Sequence, residues 1–196
     1  MILLVLIRHM PTLWTEEGLL QGRIDVPALR NDLTTPWELP FGFLGFRYLT
    51  SPLERCKTTA RRLGMEPMQV EPRLVEMDWG KWEGRRLAEL RADLGAAMAA
   101  EEAKGLDFRP PGGESPRDVQ QRVKPLLAEI AATDRDTVAI THKGVIRAIY
   151  ALATGWDMLG KPPHKLSWSA AHLFTVERGG RPAVERLNIL LEKQPK

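Results

Sequence analysis

The chain begins with an uninterrupted apolar run, Ile2-Leu3-Leu4-Val5-Leu6-Ile7, that stops abruptly at Arg8-His9. A strand with one wet face alternates apolar and polar residues. A run without alternation suits a strand covered on both faces, as in a parallel sheet flanked by helices. The run is too short to cross a bilayer, and it lacks the basic start and small-residue cleavage site of a signal peptide. An α/β fold built around this strand is therefore expected.

Two later segments repeat the pattern. Residues 46–50 read as a strand, and Ser51-Pro52 opens a helical stretch to about Leu63, with proline suited to the first helical position and Arg55 in the first turn. Val138-Ala139-Ile140-Thr141 is a third short run, and residues 145–152 continue as a helix after Lys143-Gly144, leaving His142 at the junction. Three strand-to-helix junctions thus carry Arg8 with His9, Arg55, and His142. Ligands of open α/β sheets bind beyond the carboxyl ends of the strands, so the three are expected to converge on one site.

Elsewhere, Leu87, Leu90, Leu94 and Met98 predict a helix over 85–103 stopped by Gly105. Ser115-Pro116-Arg117-Asp118 predicts an N-cap with proline at N1, leading into a helix that Pro125 should kink. Residues 172–177 and 183–187 flank Gly179-Gly180 as a hairpin or sheet-edge pair.

At 196 residues, the chain fits one domain, 1–196, with a helical lid-like segment near 84–115. A formal charge of +3 without any run of like charge favours small anions over nucleic acid, and no membrane partner is expected. Cys56, the single cysteine, excludes an intrachain disulfide and a Cys-rich cluster, and points to a reducing, cytoplasmic compartment. His164 and His172 read as structural or surface residues, and no metal-site spacing emerges.

Transferring a phosphoryl group requires a nucleophile, cations around the equatorial oxygens and an acid for the leaving oxygen, because the transition state is loose and anionic. The junctions supply the first two. A histidine flanked by arginines has a lowered pKa, since nearby positive charge disfavours imidazolium, and only a neutral nitrogen attacks phosphorus. Arg8 and Arg55 offer planar forks for phosphate oxygens, and His142 can donate a further hydrogen bond. Such a site needs no metal, and no cofactor is expected.

Arg8-His9-Met10-Pro11-Thr12-Leu13-Trp14-Thr15 resembles the opening signature of the histidine phosphatase superfamily, the phosphoglycerate-mutase-like family. The match continues through Gln21-Gly22, Asp25 and Pro27, then residues 51–60 and 74–84, and resumes at Thr141-His142-Lys143-Gly144-Val145-Ile146-Arg147. The resemblance implies a three-layer α/β sandwich with a mostly parallel central sheet, acting on small-molecule phosphate monoesters. It implies His9 as the phosphorylated nucleophile, Arg8, Arg55 and His142 as the phosphate clamp, Glu76 as general acid and later base, and Gln21 as a secondary phosphate contact. The short 84–110 segment, without the long insertion of mutases, favours hydrolysis over mutase activity. Residues 110–115 with Glu76-Met77-Asp78-Trp79-Gly80 resemble the branch that includes α-ribazole phosphatases.

The chain departs from the family at several positions. Met10 replaces a usual glycine and is expected to narrow the pocket. Thr15 replaces an asparagine and is expected to offer its hydroxyl to phosphate, while Leu19 replaces an arginine. Lys143 either touches a substrate anion or is a solvated loop lysine. Pro36, Pro40, Gly42 and Gly45 interrupt the helix usual over 28–45. Trp79 and Trp82 either border the pocket or pack a loop, and Cys56 reads as an inert buried thiol rather than an oxidant sensor. The alternatives to a phosphatase are a phosphoglycerate-type mutase and a weakly active phosphoester-binding protein. The second is motivated by the altered residues at 10, 15 and 19. Nucleic-acid binding is prompted only by the pI near 9.2 and is not expected.

Overall fold

The computed structural model describes residues 1–29 and 38–191. The apolar N-terminal run is the strand β1 (Ile2–Arg8), which lies inside a six-stranded sheet. On one side β1 pairs in parallel with β4 (Thr137–Thr141), β4 with β2 (Arg47–Thr50), and β2 with the short β3 (Gln69–Val70). On its other side β1 runs antiparallel to β5 (Ala170–Val176), which is hairpinned to β6 (Pro182–Leu190). The sheet order is β3-β2-β4-β1-β5-β6, parallel through the first four strands and antiparallel at the last two.

The two-residue period of a strand divides β1 between two cores. Leu4 and Leu6, with Leu49 and Ala139, pack on one face beneath α5 (Pro116–Ala132) and α6 (Lys143–Thr154). Val5 and Ile7, with Val138 and Ile140, pack on the other face against α2 (Glu54–Arg62) through Cys56 and Ala60. Helices on both faces explain why β1 and β4 carry no polar alternation.

Several local boundaries differ from expectation. The helix α2 begins at Glu54 with Leu53 as N-cap, so Pro52 precedes it rather than opening it. The helix α6 starts at Lys143, directly on the His142 N-cap. The stretch 85–103 is two helices, α3 (Leu87–Leu94) and α4 (Ala96–Glu102), because Gly95 adopts φ 49° and ψ −120°, outside helical geometry. Gly105 opens a further short turn, Gly105–Asp107, rather than acting as a simple stop. Leu90, Met98 and Trp82 form a small core of their own there, and Phe108 lies 5.9 Å from the Trp79 ring and 5.7 Å from that of Trp82. Both tryptophans therefore pack the loop. Part of the interrupted 28–45 segment, including Pro36, lies outside the described residues; after it, Phe41–Phe43 makes a single tight turn. Pro125 lies inside α5, which continues to Ala132.

The N-terminus of α5 is closed by reciprocal caps. Ser115 Oγ accepts from the Asp118 backbone N–H at 3.2 Å, and the Asp118 carboxylate accepts from that of Ser115 at 2.9 Å. Replacing a capping serine by alanine costs about 0.5–2 kcal/mol. Ser115→Ala is expected to lower the urea midpoint by that equivalent with an unchanged m-value, measured by circular dichroism.

Candidate active site

The sheet brings the three junctions together through register. Arg8 is paired with Thr141, and Ile140 with Thr50, so the carboxyl ends of β1, β4 and β2 form one row. The row extends one residue past each strand: the His9 N–H donates to the Thr141 carbonyl at 2.9 Å, and the Ser51 N–H to that of Ile140 at 3.0 Å. His142 follows Thr141 as the N-cap of α6, and its ring centroid lies 5.1 Å from that of His9.

His9 is held as a neutral imidazole with a defined tautomer. Its Nδ1 lies 2.7 Å from the Met10 carbonyl oxygen. A carbonyl only accepts, so Nδ1 carries the proton and Nε2 keeps its lone pair. Burial, then the charges of Arg8 and Arg55, hold its pKa well below the ordinary histidine value. His142 is pushed down likewise, by burial first and then by His9, Arg55 and Arg8; its Nε2 lies 2.7 Å from Ser51 Oγ. Met10 is buried and forms no part of the cavity wall above His9, so its side chain does not narrow the pocket. Its backbone N–H instead donates to Thr59 Oγ1, and that hydroxyl donates to the Arg55 carbonyl.

Arg55 is fully buried, and most of its hydrogen-bonding partners are carbonyls. Nη2 donates to Gly22 O at 2.7 Å, and Nη1 to Ile24 O at 2.9 Å and to Asp25 Oδ1 at 3.4 Å. The loop making these contacts is itself tied down by Glu83, whose carboxylate accepts from the Arg23 and Ile24 N–H groups at 2.6 and 2.9 Å. At Gly22 a Cβ would stand 2.3 Å from Glu83 Oε1, so only glycine fits. The sequence assigns Glu83 and Asp25 no role beyond their places in the family-like blocks. An acid and a glycine within the family-like blocks were the available signals.

Glu76 is buried at the N-terminus of α6. Its Oε1 accepts from the backbone N–H groups of Met77 at 2.8 Å and Gly144 at 3.1 Å, and Oε2 also faces Gly144 N at 3.2 Å. Burial raises its pKa above the usual carboxylate value, against the opposing pull of those two N–H groups, Arg55 and Arg8. Asp78 and Glu83, the alternative carboxylates of the same block, are both occupied. Asp78 Oδ1 accepts from the Gly80 N–H at 2.8 Å, and Glu83 holds the 22–25 loop.

Thr15 lies in the short α1 (Leu13–Glu16), and its hydroxyl is engaged within the protein. Thr12 Oγ1 donates to Gln21 Oε1 at 2.9 Å, which uses its only proton. The Thr15 hydroxyl, 3.1 Å from Thr12 Oγ1, must then be the donor of that pair. This one-way chain fixes the Gln21 amide with its oxygen satisfied. Gln21 Nε2, Arg8 Nε and Arg55 Nε are buried nitrogens with no protein acceptor among the described residues, a state that costs about 1–3 kcal/mol per group unless a ligand supplies the acceptor. A cavity of about 230 Å³ above His9 is lined by Arg8, His9, Pro11, Trp168 and Ser169. Lys143 stands beside it with Nζ 5.3 Å from the Trp168 ring centroid, and the surrounding protein, then Arg147 and Arg8, lower its pKa. Among the described residues, no cluster of three or more His, Cys, Asp or Glu side chains is placed to hold a metal ion.

Residues 4–190 match the model of the histidine phosphatase superfamily, branch 1. The chain belongs to this family. It is 31% identical over 179 residues to glucosyl-3-phosphoglycerate phosphatase of Mycobacterium tuberculosis, covering 80% of this chain and 79% of that protein. A solved structure of the mycobacterial enzyme of that name superposes with a TM-score of 0.78 at 26% identity, covering 97% of this chain and all of the other. Phosphoserine phosphatase 1 of Hydrogenobacter thermophilus is 30% identical over 169 residues, covering 81% and 79% of the two chains. The α-ribazole phosphatase of Shigella flexneri shares the fold, with a TM-score of 0.76 at 23% identity over 98% of this chain and all of the other. The chain is a hydrolase of phosphate monoesters of this superfamily.

The closeness of Gly144 to Glu76 gives a sharp test. A Cβ at position 144 would stand 2.4 Å from Glu76 Oε1 and 3.1 Å from Met77 Cβ. Gly144→Ala is expected to displace the carboxylate and, on the reading of Glu76 as the acid proposed below, to lower kcat/KM on an alkyl phosphate by about a hundredfold with the circular dichroism spectrum unchanged.

Proposed function

We propose that His9 is the nucleophile of this hydrolase and Glu76 its acid and base, acting on small phosphorylated metabolites. The observation that carries the reading is the neutral His9 imidazole, its Nδ1 proton directed to Met10 O, beside buried Arg8 and Arg55 nitrogens that lack acceptors. The Nε2 lone pair attacks phosphorus and the ester P–O bond breaks, while Glu76, whose pKa burial raises, delivers its proton to the departing alkoxide. Arg8, Arg55 and His142 surround the equatorial oxygens, and Gln21 Nε2 adds a donor. In the second half, water attacks phosphohistidine, its proton passes to the Glu76 carboxylate, and inorganic phosphate leaves. The departures at Met10 and Thr15 are compatible with this chemistry, because both residues serve the site's internal hydrogen bonds.

Hydrolysis rather than mutase transfer is supported by the compactness of the segment between Gly84 and Pro110, which holds only α3, α4 and one short turn. Two curated relatives are named for phosphate esters that also carry a carboxylate, and we place the substrate in the same broad class of small phosphorylated acids and alcohols. A cytoplasmic setting, without nucleic acid or membrane partners, belongs to the same proposal and rests on the single cysteine and the dispersed charge.

Rapid acid and alkaline quenching during turnover is expected to trap a phosphoprotein that is acid-labile and base-stable, and His9→Ala is expected to abolish both adduct and activity. Normal turnover without any adduct would overturn the covalent route. The role of Glu76 is read by leaving group. Glu76→Gln is expected to lose roughly two to four orders of magnitude in kcat/KM on an alkyl phosphate and far less on a nitrophenyl phosphate, whose anion departs unaided. On the alkyl ester, wild-type activity falls as pH rises through the raised Glu76 pKa, and the Glu76→Gln profile lacks that limb. Equal losses on both esters would remove Glu76 from the proton transfer.

A further inference from the structure

Trp168 separates two cavities. One is the space above His9; the other, about 240 Å³, is lined by Lys143, Arg147, Lys165, Trp156 and Trp168 together with Pro162 and Leu166. Its three charged wall residues are all cations, and none of them forms an ion pair among the described residues. Elsewhere in the chain arginines are routinely paired: Arg73, Arg91, Arg117 and Arg122 each meet a carboxylate within 3.1 Å. Arg147 is half-buried, and the contact that holds it is the Trp156 ring, 5.0 Å from its guanidinium carbon. Leaving a partly desolvated guanidinium without a counter-charge is unfavourable unless an anion visits the site.

The cavity is also held in shape. Trp168 and Lys165 sit on the loop entering β5, and this loop is fastened from two strands. Asn188 of β6 accepts from the Ser167 N–H at 2.7 Å and donates to the Lys165 carbonyl at 2.9 Å. His172 of β5 donates from Nε2 to the Ser167 carbonyl at 3.1 Å, while its Nδ1 accepts from the Asn188 N–H at 3.3 Å. Arg8 Cζ and Lys143 Nζ lie 6.0 and 5.3 Å from the same Trp168 ring centroid, so the phosphate-facing cation and the second cavity adjoin a single indole.

We infer that the Lys143, Arg147 and Lys165 cavity is a second anion subsite, which receives a carboxylate or phosphate carried by the same substrate whose ester phosphate sits at His9. The inference rests on the phosphatase reading for the position of that ester. Its substrate class is a small phosphomonoester with a second acidic group, and a neutral alkyl ester leaves the subsite empty.

Binding of stable phosphonates tests this without depending on turnover. Butylphosphonate, 4-phosphonobutanoate and butane-1,4-bisphosphonate share one anchoring group and differ in the distal one. Calorimetric titration of the wild-type chain is expected to show roughly ten- to a hundredfold tighter binding of a doubly acidic ligand than of butylphosphonate, the range given by one charge-assisted hydrogen bond. Whether the carboxylate, the phosphonate or both gain identifies the preferred group. In the Arg147→Met, Lys165→Met double variant the ratio is expected to fall close to one, and Lys165→Met alone, on an exposed loop, to lower it partly. A wild-type ratio near one for both doubly acidic ligands, or a ratio unchanged in the double variant, overturns the subsite. Turnover of butyl phosphate, measured alongside, reads the hydrolase assignment separately.

Discussion

The burial of the Arg55 guanidinium is the constraint around which the site is organised. Removing such a charge from water costs several kcal/mol, and proteins usually offset it with a carboxylate, at the expense of the charge available to a ligand. Here the offset comes mainly from the carbonyl dipoles of Gly22 and Ile24, with Asp25 at the longer distance of 3.4 Å. Dipoles solvate the cation without neutralising it. That choice requires a loop whose carbonyls point inward, and Glu83 produces this by binding the Arg23 and Ile24 N–H groups from the other side. The Gly22 backbone fits only because it carries no side chain there.

The same burial shifts the protonation of His9 and Glu76, the proposed nucleophile and acid, in opposite senses. Desolvation favours the uncharged form of any group, which is imidazole for His9 and carboxylic acid for Glu76. A nucleophile needs the first and a leaving-group acid the second, so one dry environment prepares both. The arginines add to the effect on His9 and oppose it on Glu76, where the net direction is still upward.

Much of this was legible in the sequence, for definite reasons. The uninterrupted run of β1 identified a strand covered on both faces, and the runs before Ser51 and His142 identified its neighbours. Strand-end placement then gathered Arg8, His9, Arg55 and His142. What stayed hidden was the matching of side chains to distant backbone. No periodicity shows that Glu83 meets Arg23 and Ile24, some sixty positions earlier, or that Gly144 must be bare to admit Glu76. Thr15 was read as a phosphate donor because it stands where an amide is usual, whereas its hydroxyl is directed to Thr12 and orders Gln21. The break at Gly95 leaves no mark in the sequence pattern, because the apolar spacing continues in phase across it.

The outer hairpin carries a consequence of a different kind. Between the Ala171–Ile189 and Leu173–Arg186 pairs, β6 places two residues, Leu187 and Asn188, opposite the single His172, and Asn188 takes a positive φ of 58°. This irregularity aims Asn188 at the loop bearing Trp168. Edge strands are ordinarily the part of a sheet most tolerant of drift, because nothing beyond them reads their alignment. In this fold the pocket wall reads it: sliding β6 by one position would move the Asn188 fastening away from Ser167 and Lys165 and would also turn Val184 and Leu187 off the core face they pack. The shape of the wall beside His9 is therefore tied to the alignment of the outermost strand, and an insertion or deletion within 182–190 would disturb that wall and the packing of Val184 and Leu187 together.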